Sequence, residues 1–197
     1  MPAQLLGCRG EDLTNEGDIW YFTTERLNRG QFRVIGGEPP GGSSKYPRIE
    51  ARHPDNTRKG SAGSMKHDIY ILYDRRILLC EAKDHPNKTT DDVDRLNNAV
   101  SSVLWAGALW DAMDQRGLIN KWDLPQQSEF IAERHDILRK ALVIPQGTDF
   151  EPPEDFVLIE TDEDQTTVRA GDDFPDDDML DALEGHVEEY GRMTSFR

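Results

Sequence analysis

Long apolar runs are missing from this 197-residue chain, which excludes a membrane-spanning helix of about 20 consecutive apolar residues. Cysteine is scarce as well. Cys8 and Cys80 are the only two, too few to suggest a disulfide framework, and Cys80 lies in an apolar strand pattern where a reduced, buried thiol is the ordinary state. The first six residues lack the basic segment and the longer apolar stretch of a secretory signal, so the cytoplasm is the expected location. Positive charge is also in short supply: 23 Lys and Arg stand against 38 Asp and Glu, a net charge of −15. Taken as a total, that argues against a nucleic-acid partner, because phosphate binding draws mainly on Lys and Arg.

The distribution of charge changes that inference. Residues 149–197 hold 17 acidic and 3 basic side chains, which leaves 21 acidic and 20 basic for residues 1–148. Within 45–76, eight basic residues (Lys45, Arg48, Arg52, Arg58, Lys59, Lys66, Arg75 and Arg76) meet four acids. Asp outnumbers Glu 23 to 15 and Arg outnumbers Lys 16 to 7, a bias that resembles proteins of salt-loving archaea, in whose cells net charge says little about partners. The length suits one sizeable core. The expected organisation is one domain over 1–148 and an acidic C-terminal extension over 149–197.

Asn15 or Thr14 can cap a first helix, with Glu16 and Asp18 in its first turn and Gly30 as its stop. A strand is expected at 31–35, a breaker-rich loop at 36–44, and a short strand at 46–52. Two near-continuous apolar arms, 68–73 and 76–83, flank a turn at Asp74 and Arg75. Runs of that kind belong to central strands covered on both faces. Thr89 or Thr90 can cap one long helix whose face is marked by Val93, Leu96, Val100, Val103, Gly107 and Trp110. A second helical stretch at 128–139 leads to a buried strand at 140–145, ended by Pro145. A further strand is expected at 156–160, then a short helix at 179–190 after the run of aspartates at 172–178.

The order helix, strand, strand, strand, helix, strand, with two strands in a tight hairpin, resembles the αβββαβ core of the PD-(D/E)xK nucleases, the restriction-endonuclease-like fold. The family motif places an Asp at the opening of one strand and Glu/Asp-x-Lys at the end of its neighbour, which here match Asp68 and Glu81, Ala82 and Lys83. His67 stands where the named motif has Pro. Side chains alternate along a strand, so Glu81 and Lys83 share one face, and the hairpin returns Asp68 beside Glu81.

The resemblance implies an α/β fold with a mixed central sheet flanked by helices. It also implies an endonuclease that hydrolyses phosphodiester bonds, in DNA for preference, with Mg²⁺ as cofactor and Mn²⁺ as substitute. Asp68 and Glu81 would ligate the metal together with the carbonyl of Ala82, and Glu16 is the match for a further glutamate from the first helix. Lys83 would act on the attacking water. On that fold Lys45, Arg48, Arg52, Arg58, Lys59 and Lys66 are candidate DNA contacts, and a homodimer is one way to cut two strands.

Two other functions fit the same residues. One is a restriction-endonuclease-like domain that binds without cleaving; the other is an acidic protein that imitates DNA through residues 149–197. Glu16 has an alternative role in complementing the dipole of its helix. Trp105, Trp110 and Trp122 are expected to pack in the core rather than stack on bases, and His67 and His85 show no zinc-ligand spacing.

Overall fold

Apolar side chains alternate along the strands, and helices cover both of the faces so defined. The computed structural model describes residues 15–51 and 66–192. In chain order the elements are α1 (Glu16–Leu27), β1 (Arg33–Gly37), β2 (Ile69–Tyr73), β3 (Arg76–Ala82), a single 3-10 turn (Pro86–Lys88), α2 (Thr90–Ser101), α3 (Val103–Asp114), α4 (Leu118–Lys121), α5 (Gln127–Ala132), α6 (Arg134–Ile137), β4 (Leu138–Pro145), β5 (Val157–Thr161), β6 (Thr166–Ala170) and α7 (Asp177–Tyr190). The strands form one six-stranded sheet in the order β1-β2-β3-β4-β5-β6. It is mixed: β3–β4 and β4–β5 are parallel, and the other neighbours are antiparallel.

On one face Ile19, Trp20 and Leu27 of α1 and Met179, Leu183 and Val187 of α7 pack with Ile71, Leu78, Cys80 and Val143. On the other, Leu96 and Val100 of α2, Trp105 and Leu109 of α3 and Phe130 of α5 pack with Tyr70, Leu79, Leu142 and Ile144. This is the mixed, helix-flanked α/β sheet that the resemblance implies, and the apolar runs of β2 and β3 are strands covered on both faces. Cys80 is a buried free thiol, and Cys8 lies outside the described residues. Among the described residues no helix is long and apolar enough to cross a membrane.

Local chemistry sets the boundaries. The Asn15 side chain accepts the Gly17 amide at 2.8 Å and starts α1. The β2–β3 turn is a tight two-residue one in which Asp74 and Arg75 both take positive φ, 42° and 65°, the twist that matches a two-residue hairpin.

Four expectations change. The one long helix expected from Thr89 or Thr90 to Trp110 is broken at Ser102, which has extended backbone and whose hydroxyl accepts the Trp105 amide. The break turns Trp105, Ala106 and Leu109 inward and leaves Val103, predicted to face the core, 49% exposed. The predicted strand at 46–52 reduces to a bridge at Ala51, and Arg52 lies outside the described residues. The helical stretch at 128–139 is two short helices, and β4 begins two residues early, at Leu138. The acidic residues 149–192 contribute two strands and the longest helix to the shared sheet and core.

Two buried polar clamps explain how such an acidic segment docks. Arg26 of α1, 2% exposed, donates from Nη1 to Thr161 Oγ1, the Asp162 carbonyl and Thr166 Oγ1, and from Nη2 to the Glu163 carbonyl. Asp176 caps α7 by accepting the Met179 amide, and its other oxygen meets Arg76 Nε at 2.8 Å and Arg139 Nε at 3.1 Å.

His186 of α7 is also buried, and its Nε2–H donates to the Arg26 carbonyl at 2.9 Å. Burial pushes this imidazole below the ordinary His value of 6.5. Below about pH 6.5 the unfolded chain therefore takes up a proton that the folded chain resists. Stability is lost as pH falls from there through the depressed folded value. His186→Gln is expected to remove this part of the acid loss, seen as a smaller drop in Tm between pH 7 and pH 5 than in the wild type; an unchanged drop would contradict it.

Candidate active site

The C-terminal end of β3 is where the charged groups meet. The β2–β3 ladder pairs Ile69 with Cys80, so one step further Asp68 faces Glu81 across the hairpin. Asp68 Oδ2 accepts the Ala82 amide at 2.9 Å. Its carbonyl accepts Trp20 Nε1 of α1 at 2.9 Å and the Glu38 amide at 3.1 Å. Gly37, at φ +147°, makes that approach feasible: a Cβ there would lie 2.5 Å from the Asp68 carbonyl oxygen. The Lys83 amide donates to the Val143 carbonyl at 2.8 Å, fixing the end of β3 against β4.

Glu81 is fully buried. Its Oε1 lies 2.5 Å from His67 Nδ1, and its Oε2 lies 2.5 Å from Arg95 Nη2. The same Arg95 nitrogen is 3.3 Å from Asp92 Oδ1, one helical turn back on α2. Lys83 Nζ stands 3.5 Å from Asp92 Oδ2 and 4.0 Å from Glu16 Oε1. Behind His67, the Tyr70 hydroxyl accepts the His67 amide and the Trp105 ring meets the imidazole edge to face.

Burial and the neighbouring Glu81 charge push the Asp68 carboxyl up to about 7. Burial would raise Glu81 too, but the His67 hydrogen bond and the charges of His67 and Arg95 bring it down to about 2. The pair thus splits into one carboxylate held firmly ionised and one that resists ionisation. Asp68→Asn keeps an oxygen for the Ala82 amide while removing the like-charge repulsion. In EDTA at pH 8 it is expected to stabilise the protein by about 1–2 kcal/mol, read by chemical denaturation; a loss of stability would contradict this reading of the site.

Asp68, Glu81 and Lys83 are brought together. Glu16 approaches Lys83 rather than the two central carboxylates. Ala82 directs its side chain to the opposite face, into the α1–α7 core. Asp92 and Arg95 went unrecognised as site residues: the sequence marks Asp92 only as a first-turn acid of a helix, and nothing in it ties Arg95 to Glu81. His67 is a partner of Glu81, whereas His85 accepts the Asn87 amide and caps the 3-10 turn. Trp105 is fully buried and Trp110 donates to the Pro125 carbonyl, both in packing roles.

Of the basic residues, Lys45 pairs with Glu25, Arg48 with Glu38 and Glu50, and Lys66 with Glu38. Much of that positive surface is therefore internally neutralised. Arg52, Arg58 and Lys59 lie outside the described residues. A cavity of about 320 Å³ lined by the Glu38–Pro39–Pro40 segment, Gly41, Gly42, Lys66 and Asp68 opens beside Asp68. A larger one, about 420 Å³ between β6 and α7, lies three strands away from β3 and holds none of these groups.

Whether a divalent cation suits this cluster turns on charge and donor type. Glu16, Asp68, Glu81 and Asp92 outnumber the permanent cations Lys83 and Arg95. Hard carboxylate oxygens are the donors that Mg²⁺ and Mn²⁺ take, and Asp92 Oδ2 is buried without a hydrogen bond. The donor set fits. In this arrangement, however, Glu81 Oε1 is hydrogen-bonded to His67 and Oε2 is ion-paired with Arg95 without a hydrogen bond, and among the described residues no three His, Cys, Asp or Glu side chains converge as a ready-made metal site. Comparison with protein-family models, curated proteins and solved structures finds no match to this chain.

Proposed function

We propose that this protein is a metal-dependent nuclease of the restriction-endonuclease-like kind, hydrolysing phosphodiester bonds in DNA at the end of β3. The observation that carries the reading is Asp68 facing Glu81 across the hairpin with Lys83 two residues on, at a sheet end where carboxylates outnumber permanent cations. Asp68, Glu81 and, from α2, Asp92 would hold Mg²⁺ or Mn²⁺. When bound, the ion would acidify a coordinated water and stabilise charge developing on the phosphate.

The chain's own residues do the rest. The Ala82 amide and the Asp68 carbonyl contacts fix where the Asp68 carboxyl sits. His67, buried beneath Glu81, fixes that carboxylate from the far side. Lys83, its side chain 18% exposed, can orient the water, exchange its proton and offset negative charge on a phosphate. The cavity beside Asp68, lined by Glu38, residues 39–42 and Lys66, opens the carboxylate's surroundings to an approaching ligand.

The full sequestration of Glu81 favours a second reading, in which the same ion cluster only ties α2 to the sheet and the domain binds without cutting. Incubation with end-labelled duplex, branched and single-stranded DNA, with Mg²⁺, Mn²⁺ or EDTA over a series of salt concentrations, separates the two. The nuclease reading expects cleavage that EDTA abolishes. A folded protein that shifts DNA in a gel but cuts none of the substrates would establish the second.

A further inference from the structure

We propose that Arg95 is a displaceable internal counter-ion: its guanidinium fills the place between Glu81 and Asp92 and yields it when a divalent cation binds. The inference deepens the nuclease reading and rests on it. A single nitrogen, Arg95 Nη2, contacts a carboxylate oxygen of each residue, Glu81 Oε2 at 2.5 Å and Asp92 Oδ1 at 3.3 Å. That is the position of a bridging cation.

The two partners of Glu81 differ in their freedom to leave. His67 has no side-chain exposure, so it cannot swing away without opening the core. Arg95 has 37% of its side chain exposed. Its attachment is also incomplete, because Nε is buried without a hydrogen-bond partner, whereas a firmly held arginine uses its planar fork in two parallel bonds. Asp92 Oδ2, buried without a hydrogen bond and 3.5 Å from Lys83 Nζ, is a further oxygen on the carboxylate that Arg95 contacts.

Charge points the same way. With Arg95 withdrawn, Glu16, Asp68, Glu81 and Asp92 keep Lys83 as their permanent cation, an excess of carboxylate that a divalent cation offsets better than a monovalent guanidinium. The monovalent guanidinium thus keeps the buried carboxylates tolerable in the metal-free chain, where their excess over Lys83 would otherwise strain the fold, and it weakens metal binding by competing for Glu81.

The test is binding of Mn²⁺ to the metal-free full chain, followed by the electron paramagnetic resonance signal of free Mn²⁺, in wild type and in Arg95→Met, which keeps the apolar stem. The variant is expected to bind at least about tenfold more tightly. Equal or weaker binding by a folded Arg95→Met would overturn the counter-ion role and leave the nuclease reading standing. No Mn²⁺ binding by either protein would overturn both.

A measurement on the wild type alone covers the case of a variant that does not fold. Phenylglyoxal should modify Arg95 several-fold faster at saturating Mn²⁺ than in EDTA, read by mass spectrometry of its peptide. An unchanged or slower rate would overturn the proposal.

Discussion

Lys83→Ala should reduce metal-dependent cleavage by about 10²- to 10⁴-fold, the range for removing a group that moves a proton or offsets charge in the transition state. The expectation follows from placement. Lys83 is the last residue anchored to the sheet, through its amide on Val143, and its ammonium projects to where Asp92 and Glu16 can hold it. Burial works against its charge, but Asp92, Asp68 and Glu16 override that and push its pKa above the ordinary 10.5. The ammonium is therefore the resting form, suited first to orienting water and phosphate.

Loss of Lys83 should do little to the fold, about 1 kcal/mol for the counter-charge of a partly exposed pair. The defect should therefore appear in single-turnover rates with the melting curve nearly unmoved. Lys83→Arg keeps the charge with a different shape and basicity, and should recover only a small part of the rate. Equal rates in wild type and Lys83→Ala would remove Lys83 from the mechanism.

Arg26→Met should be the most destabilising single change outside the apolar core. The guanidinium is buried at the junction of α1 with the β5–β6 hairpin and donates to two carbonyls and two hydroxyls. A methionine fills similar volume but donates nothing. Thr161 and Thr166 keep their bond to each other, while the Asp162 and Glu163 carbonyls lose their Arg26 donors. Hydrogen bonds to charged groups and the cost of orphaned buried acceptors put the loss at about 3 kcal/mol, or about 6–12 °C in Tm for a domain of this size. Arg26→Lys should recover little, since one ammonium cannot span both sides of the turn. A Tm within about 2 °C of wild type would show that the clamp contributes little.

The hairpin that carries Asp68, Glu81 and Lys83 was legible because its signals are local. Two apolar arms, a two-residue turn and the alternation of side chains together fix which residues share a face. The remainder of the site was not, because its contacts span the fold. Arg95 reaches Glu81 from another element, and first-turn acids such as Asp92 ordinarily serve the helix dipole. His67, which departs from the family motif, is the buried partner of Glu81. Such a pairing depends on the bend that leads into β2, which no periodicity reports.

The place of the C-terminal quarter in the core was hidden by composition. Its 17 acids suggest a solvated tail, yet Val157, Leu158 and Ile159 are fully buried and Asp176 is a 5% exposed cap. One consequence concerns the DNA-mimic reading: deleting 149–197 would remove two strands and α7 from the shared core, so that deletion would report on folding. Point substitutions of exposed acids such as Asp173, Glu184 and Glu188 are the usable probe. Helix α3 shows the opposite failure, where apolar spacing carried smoothly across Ser102 although its hydroxyl caps a new helix.

The most direct measurement is nicking of supercoiled plasmid by wild type and Glu81→Gln, each shown to be folded, with Mn²⁺ or EDTA and at salt concentrations up to those of a halophilic cytoplasm. Gln keeps the shape of the buried Glu81 side chain and removes the charge a metal would need. The account predicts wild-type nicking that EDTA stops and that Glu81→Gln loses at every salt concentration. Equal nicking by the two proteins, or none by folded wild type in any condition, would contradict it.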